Sequence, residues 1–288
     1  MTSGKANAAA ATAAVLFGAS VVAVRIAVRD VSPMALAFLR FGQGTLVLAV
    51  GLALFRRDLL RVARRDVPYL ALLGLIFYAI FPVTFNAGLQ YLEASQAALL
   101  LATMPLWTML LARSVARERL TPRQVGGVAL SVAGVAIVMA DRGLGRVSVI
   151  GDLLLSATAF CGAVYNVMAR RALATYHGVT VTFYAMLVGS LLLAPSLAGQ
   201  RLDGLPRETL AVVAFLGVFG GALAFTLWTA ALRRLSPTEV AVYINLNPLA
   251  ASLLAAAVLR ERLTPAFGVG FVAVASGVLV VSWRRATA

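Results

Sequence analysis

The residues of this sequence that could do chemistry are a few polar and aromatic side chains set inside long apolar runs. The run 237–259 holds the densest group, in which Tyr243, Asn245 and Asn247 lead directly to Pro248. Proline donates no backbone hydrogen bond, so it leaves a carbonyl oxygen free one turn earlier. Amides and a free carbonyl accept an ammonium group, and hydroxyl and amide donors hold a carboxylate. This run therefore predicts a site for a zwitterionic ligand.

Other apolar runs contribute aromatic residues that could surround such a ligand. Tyr78, Pro82, Phe85 and Asn86 fall close to one face of a helix. Aromatic rings accept apolar side chains by stacking, and they accept cations through their ring faces. The predicted substrate-binding residues are Tyr78, Phe85, Asn86, Trp107, Tyr165, Asn166, Trp228, Tyr243, Asn245 and Asn247, with Pro82, Pro105 and Pro248 as flexible points.

Each of these residues also has a structural interpretation. Tryptophan and tyrosine anchor membrane spans at the lipid–water interface, and asparagine bonds neighbouring helices. Arg40 and Gln43 could face a cavity, although Arg40 is near enough to the end of its run to extend to the surface. Both interpretations stay open at the level of the sequence.

Composition places these residues in a membrane protein. Of the 288 residues, 61% are hydrophobic and only 12% are charged, and the mean hydropathy is +0.92. A soluble domain needs more polar surface than this. The net charge is +14, but the basic residues form short clusters between apolar runs, which is typical of membrane flanks. The expected partners are therefore the lipid bilayer and a small-molecule substrate, and not nucleic acid.

The apolar runs are long enough to cross a bilayer. A span needs roughly 20 mainly apolar residues for about 30 Å of hydrocarbon. An even number of spans places both termini on one side, and the connections on that side hold most of the basic residues, including those between Arg56 and Arg65. The positive-inside rule then predicts cytoplasmic termini. The expected spans are 8–28, 33–54, 67–90, 94–114, 122–140, 150–169, 179–199, 208–231, 237–259 and 265–283.

One six-residue motif, RERLTP, occurs twice. It stands at Arg117–Pro122 and again, 143 residues later, at Arg260–Pro265. Because each half then holds five spans, an odd number, the second half must enter the membrane with the opposite polarity. This predicts two inverted repeats, 1–145 and 146–288, in one intramembrane unit. The same offset aligns Phe17 with Phe160, Pro105 with Pro248, Gly127 with Gly270 and Gly134 with Gly277.

These features resemble the drug/metabolite transporter superfamily in its ten-helix EamA-type branch. They are the segments at Pro105 and Pro248, the acidic residues Glu118 and Glu261 in the motif, and the glycine-rich helices that follow. The resemblance covers the whole chain and implies an all-α integral membrane fold of ten transmembrane helices. It also implies export of amino acids, other metabolites or toxic compounds across the bacterial inner membrane. Within the branch, the chain is similar to YddG-type exporters of aromatic and other amino acids.

The acidic residues argue against tight proton coupling, because none lies near the centre of a span. Facilitated diffusion, or weak coupling through Glu93 or Glu239 at helix ends, are the alternatives. Glu118 and Glu261 stand beside arginines and are expected to form local ion pairs. Alternating access by rocking of the two halves is the expected mechanism.

An enzyme is not expected. Intramembrane serine hydrolysis needs a histidine partner, and a paired-aspartate mechanism needs two buried acids. The single Cys161 and the single His177 leave no metal cluster, so no metal or other cofactor is expected. A non-transporting sensor or assembly subunit is the other class, although it would normally have a soluble output domain. The oligomeric state stays open, and a monomer suffices for the expected function.

Overall fold

A computed structural model describes residues 2–92, 94–140, 148–200, 203–259 and 264–283, which are helical and contain no strand. The first half begins with two unbroken helices, and its third and fourth helices are irregular. Its helices are α1 (Ser3–Ala27), α2 (Pro33–Phe55), α3 (Val67–Gly74, a π-helical segment Leu75–Ile80, and Phe81–Gly88), α4 (Ala94–Leu101 and Met104–Ser114) and α5 (Pro122–Ala140).

The second half repeats this order of regular and irregular helices. Its helices are α6 (Val149–Thr175), α7 (Gly178–Leu193), α8 (Arg207–Phe215, a π-helical segment Leu216–Leu223, and Ala224–Leu232), α9 (Pro237–Ala241, a 3-10 turn Val242–Asn245, and Leu246–Leu259) and α10 (Pro265–Ser282). The expected spans are confirmed as helices, although α6 continues to Thr175, beyond the expected end at 169.

Local sequence explains where several helices begin. Ser32 stands before Pro33 and accepts a hydrogen bond from the Ala35 amide, so α2 has both an N-cap and a proline in its first turn. Ser236 and Glu239 form a capping box at the start of α9. These caps satisfy amide groups that would otherwise be left open at the helix ends.

Within the described residues, nine helices are long and apolar enough to cross a membrane. They correspond to α1 to α8 and α10. The 3-10 turn Val242–Asn245 interrupts α9, which is otherwise helical from Pro237 to Leu259. The protein is therefore an all-helical, multi-span membrane protein.

The close contact between α5 and α10 shows that these two equivalent helices run in opposite directions. A Cβ atom on Gly127 would lie 2.8 Å from the Gly277 carbonyl oxygen, and one on Gly134 would lie 2.8 Å from the Gly270 carbonyl oxygen. The 143-residue offset equates Gly127 with Gly270 and Gly134 with Gly277. Each glycine therefore contacts the equivalent of the other, which is the contact that two inverted copies make across a two-fold axis.

The remaining helices show the same reciprocal packing between the two halves. Helix α1 packs against α8 and α9, and its equivalent α6 packs against α3 and α4. Helix α2 packs on its own equivalent, α7. Arg260 to Leu263, in the second RERLTP copy, lie outside the described residues, as do the expected boundary at 145/146 and Glu93.

Candidate functional site

Five aromatic residues from four helices meet in the protein core, and we call them the core cage. They are Phe41 of α2, Phe77 and Tyr78 of α3, Tyr165 of α6 and Phe225 of α8. The Tyr78 ring centroid lies 5.2 Å from that of Phe41, 6.0 Å from that of Tyr165 and 5.1 Å from that of Phe225. Phe77 stacks on Tyr165 with the centroids 4.3 Å apart. Two of the predicted residues, Tyr78 and Tyr165, are thus brought together.

The irregular backbone of α3 places Tyr78 in this cage. Tyr78 lies in the π-helical segment, and Pro82, one turn later, has no N–H for the Tyr78 carbonyl group. A π-helical turn is a common adjustment to such a break in the hydrogen-bond ladder. Gly189 of α7 has no side chain, and this lets the α3 backbone approach because a Cβ there would collide with Tyr78. Tyr78 and Tyr165 are fully buried as a result.

The hydroxyl groups of the two tyrosines are the unusual feature of the core cage. They lie near each other, yet neither has a partner with normal hydrogen-bond geometry among the described residues. The hydroxyl of Thr226, next to Phe225, is also buried without a partner. Buried polar groups are nearly always hydrogen-bonded in native proteins. These oxygens are therefore unusual groups of the core that retain hydrogen-bonding capacity.

Asn166 and Trp228, also predicted, are bonded to each other beside the cage. The Trp228 Nε1–H donates to Asn166 Oδ1 at 2.9 Å, and Asn166 Nδ2 donates to Thr108 Oγ1 at 3.5 Å. The Trp228 ring lies 5.8 Å from that of Phe17. These bonds connect α4, α6 and α8. The geometry therefore favours a structural role for Asn166, which bonds neighbouring helices to each other.

The polar residues of α9 face other helices. The hydroxyl groups of Tyr243 and Ser282, on α10, are 2.7 Å apart, and Asn245 Nδ2 donates to Ser131 Oγ on α5 at 2.8 Å. The Oδ1 atoms of Asn245 and Asn247 are buried and have no partner among the described residues. This group is thus a second set of open acceptors, bonded to α5 and α10 rather than to the two tyrosines.

Three predicted residues lie apart from the core cage. Phe85 packs near Leu155, and Asn86 Nδ2 contacts Met34 Sδ at 3.3 Å. Trp107 is 37% exposed and contacts Phe160, which is itself 41% exposed. Trp107 therefore lies on an exposed face of α4, apart from Tyr78, and its role in substrate binding stays a prediction.

All three predicted flexible prolines adjoin irregular backbone. Pro82 follows the π-helical segment of α3, and Pro105 follows the break in α4 at residues 102–103. Pro248 follows the 3-10 turn Val242–Asn245 of α9. The missing N–H of each proline accounts for the local loss of α-helical hydrogen bonds.

Arg40 is a half-buried charged residue beside the core cage, and the prediction did not include it in the site. Its Nη2 donates to the Gly220 carbonyl oxygen at 2.7 Å, inside the π-helical segment of α8. The guanidinium carbon lies 5.6 Å from the ring centroid of Phe41 and 5.7 Å from that of Phe225. Of the two interpretations open for Arg40, the hydrogen bond to α8 favours a side chain directed at the core, although Arg40 stays partly exposed. The sequence signal for Arg40 was a charged residue inside an apolar run.

Glu118, in the α4–α5 connection, packs against the start of α9. Its carboxylate lies beside Ser236, Thr238 and Arg170, and both oxygens are shielded from solvent. Burial raises the pKa of Glu118, and these neighbours partly offset that effect, whereas Glu239 adds to it. The expected ion pair with its neighbouring arginines is not found among the described residues. Its equivalent, Glu261, lies outside the described residues.

Other parts of the described structure offer less chemistry. A cleft of about 480 Å³ lies between α5 and α10, and no core-cage residue lines it. No group of histidine, cysteine, aspartate or glutamate residues that could hold a metal ion occurs in the described ranges. The cleft is lined by Arg123, Ser276, Leu279, Val280 and Trp283.

The bundle of apolar helices and its polar-aromatic core define a membrane transport protein, and comparison with known proteins identifies which kind. Residues 4–140 and 149–283 each match the EamA-like transporter family. The chain belongs to this family and is a transporter rather than an enzyme.

Its relatives include proteins named as exporters. A "probable terminal-alkyne amino-acid exporter" of Streptantibioticus cattleyicolor is 31% identical over 78% of this chain and 76% of its own length. A "probable amino-acid metabolite efflux pump" of Escherichia coli is 27% identical over 94% of each chain. A solved crystal structure has a TM-score of 0.81 and 24% identity, and the match covers 96% of this chain and 95% of that one. This last similarity shows the same fold.

Proposed function

We propose that the protein exports small metabolites, foremost amino acids including aromatic ones, from a site at the core cage. The observation that carries the proposal is the pair of buried Tyr78 and Tyr165 hydroxyls, which lie near each other without normal hydrogen-bond geometry, inside a ring of aromatic side chains. An aromatic or apolar side chain packs against such rings, and the open hydroxyls bond the polar end of the ligand. The names of two relatives as amino-acid exporters support the same substrate class.

The proposed mechanism is alternating access by two inverted halves, 1–145 and 146–288. Both halves have a π-helical segment in their third helix and a break in their fourth. Such points absorb changes of backbone angle more readily than a continuous helix does. Pro82, Pro105 and Pro248 are the proposed flexible points, since each adjoins one of these irregular segments. Rocking of one half against the other would open the core to each face in turn.

The proposed location is the bacterial inner membrane, with both termini in the cytoplasm. The basic residues between Arg56 and Arg65 support this orientation through the positive-inside rule. Single cysteines placed in 117–122 and 260–265 test it by labelling from one side of intact cells. We expect the first segment to label from the cytoplasm and the second from outside. Labelling of both from the same side would reject the orientation and the inverted halves together.

Flux measurements in proteoliposomes test the substrate class. We expect protein-dependent flux of labelled phenylalanine, and a KM about 10-fold higher after Tyr78→Phe with Tyr165→Phe, because each hydroxyl bonds the polar end of the ligand. Tyr69→Phe is the matched control, since the Tyr69 hydroxyl donates to the Met168 carbonyl oxygen on the same helix pair.

A panel of amino acids, other metabolites and drugs completes the test. Flux of drugs or other metabolites without flux of any amino acid would favour the alternative substrate classes. An unchanged KM in the double tyrosine variant would move the site away from the core cage, towards the open amide oxygens of α9.

A further inference from the structure

We propose that Arg40 binds the carboxylate of the exported substrate, which would make the site selective for amino acids and similar monocarboxylates. This inference rests on the proposed function, because it names the group that recognises one end of the ligand. Arg40, a single residue of α2, would then determine whether the site prefers a carboxylate to its neutral analogues.

Arg40 is a cation without an acidic partner among the described residues. Charged residues inside a membrane protein are costly unless they pair with another group. In the described part of the chain, Arg40 forms no ion pair, and its bonds are one backbone carbonyl oxygen and two aromatic faces. Its Nε is shielded from solvent and has no hydrogen-bond partner there. The side chain thus holds an unused donor and an uncompensated positive charge.

Arg40 also lies close to the aromatic rings of the core cage. Arg40 lies over the rings of Phe41 and Phe225, both members of the core cage. It is also close enough to Tyr78 for the two groups to interact electrostatically. The charge therefore stands at the edge of the cage, where one end of a bound ligand would lie.

The guanidinium group of Arg40 has a geometry that suits a carboxylate. It presents donors in a planar fork that matches the two oxygens of a carboxylate. Nη2 uses one of its two hydrogens on Gly220, and the Nε–H beside it is buried without a hydrogen-bond partner among the described residues, so donors remain for a carboxylate. A carboxylate held there, with its side chain against Phe41 and Phe225, describes an amino acid with an apolar or aromatic side chain.

Transport by the full-length protein in proteoliposomes tests the assignment. Labelled phenylalanine is the substrate, and phenylalaninamide, which has a neutral amide in place of the carboxylate, is the competitor. We expect the wild type to discriminate strongly against the amide. Arg40→Gln should raise the KM for phenylalanine about 10- to 100-fold with little change in the maximal rate, and it should abolish the discrimination. Arg40→Lys should restore part of the affinity, because the charge returns without the fork.

Arg123→Gln is the matched control. Arg123 Nε also donates to a backbone carbonyl oxygen of another helix, that of Val280 at 2.6 Å, and its Nη2 is likewise buried without a partner. It does not contact the core cage. A purely structural loss should therefore affect both variants, whereas a loss of carboxylate binding should affect Arg40→Gln alone.

The outcomes separate this inference from the proposed function. Wild-type protein without any amino-acid flux would reject the function itself. Wild-type flux that ignores the carboxylate, or an Arg40→Gln variant with an unchanged KM, would overturn the role of Arg40 and leave export standing. If Arg40→Gln fails to fold, thermal unfolding of the wild type decides: phenylalanine should raise the Tm and phenylalaninamide should not, and equal stabilisation by both would overturn the inference.

Discussion

The two halves of the protein agree in backbone and differ in side chains at the core. Helices α3 and α8 both have a π-helical segment, and α4 and α9 are both interrupted at the residues before Pro105 and Pro248. The polar residues of the core have no such counterparts. At the 143-residue offset, Arg40 corresponds to Phe183, Tyr165 to Val22 and Asn245 to Ala102.

This difference separates two kinds of residue. Features present in both halves set how the helices bend and how closely they pack, and a rocking mechanism needs those features on both sides. We expect features present in one half to meet a ligand, because a small solute has two chemically different ends and no two-fold symmetry. Under the proposed function, the shared glycines and prolines would serve packing and movement, and Arg40 and the tyrosines would serve recognition.

The largest expected effect tests the shared features. Gly127→Leu and Gly270→Leu should each destabilise the protein by about 3 kcal/mol, because the new side chain meets the backbone of the facing helix. Gly126→Leu is the control, since no atom lies within 4 Å of a Cβ placed there. Thermal unfolding in detergent provides the measurement. Unequal losses of stability at Gly127 and Gly270 would contradict the structural equivalence of the two halves.

A smaller effect tests the unshared features. Asn166→Leu should cost about 2 kcal/mol, because it leaves the buried Trp228 N–H without an acceptor. Asn86→Leu should cost less than about 0.5 kcal/mol, because the amide of Asn86 contacts only the sulfur of Met34 within the described residues. Chemical or thermal unfolding of both variants ranks them. The reverse order would mean that the Asn166 bonds contribute little to holding α4, α6 and α8 together.

The smallest expected effect concerns Glu118, whose surroundings on α6 and α9 are Arg170, Ser236, Thr238 and Glu239. Burial raises the pKa of its carboxyl above the usual value near 4.5. The folded protein then binds the proton more tightly than the unfolded chain, so its contribution favours folding at acid pH and weakens as the pH rises through the folded pKa.

We therefore expect Glu118→Gln, which resembles the protonated form, to reduce the decline of the Tm as the pH rises above about 4.5. Glu208→Gln, at the exposed start of α8, serves as the control and should leave that decline in place. A pH profile of Glu118→Gln that matches the wild type would contradict the effect of burial on Glu118.

The sequence was sufficient to predict the parts of the fold that depend on local composition. Apolar length defined the spans, and the repeated motif with Gly127 and Gly134 predicted two related halves. It also selected Tyr78 and Tyr165, because a polar ring inside an apolar run is unusual. It could not show which way a side chain turns. Trp107 lies on the outer face of α4, and Arg40 reaches across to Gly220, since both positions depend on helices far away in the sequence.

The contact between α5 and α10 has a consequence for the origin of the chain. Each segment touches its own duplicate through the same glycines, so the interface is self-complementary, like the isologous interface of a symmetric dimer. Two separate half-length polypeptides, inserted into the bilayer in opposite orientations, could associate through the same surface. A single chain that holds both halves does not need one sequence to insert both ways. Each half can therefore have side chains of its own, of which Arg40 is one.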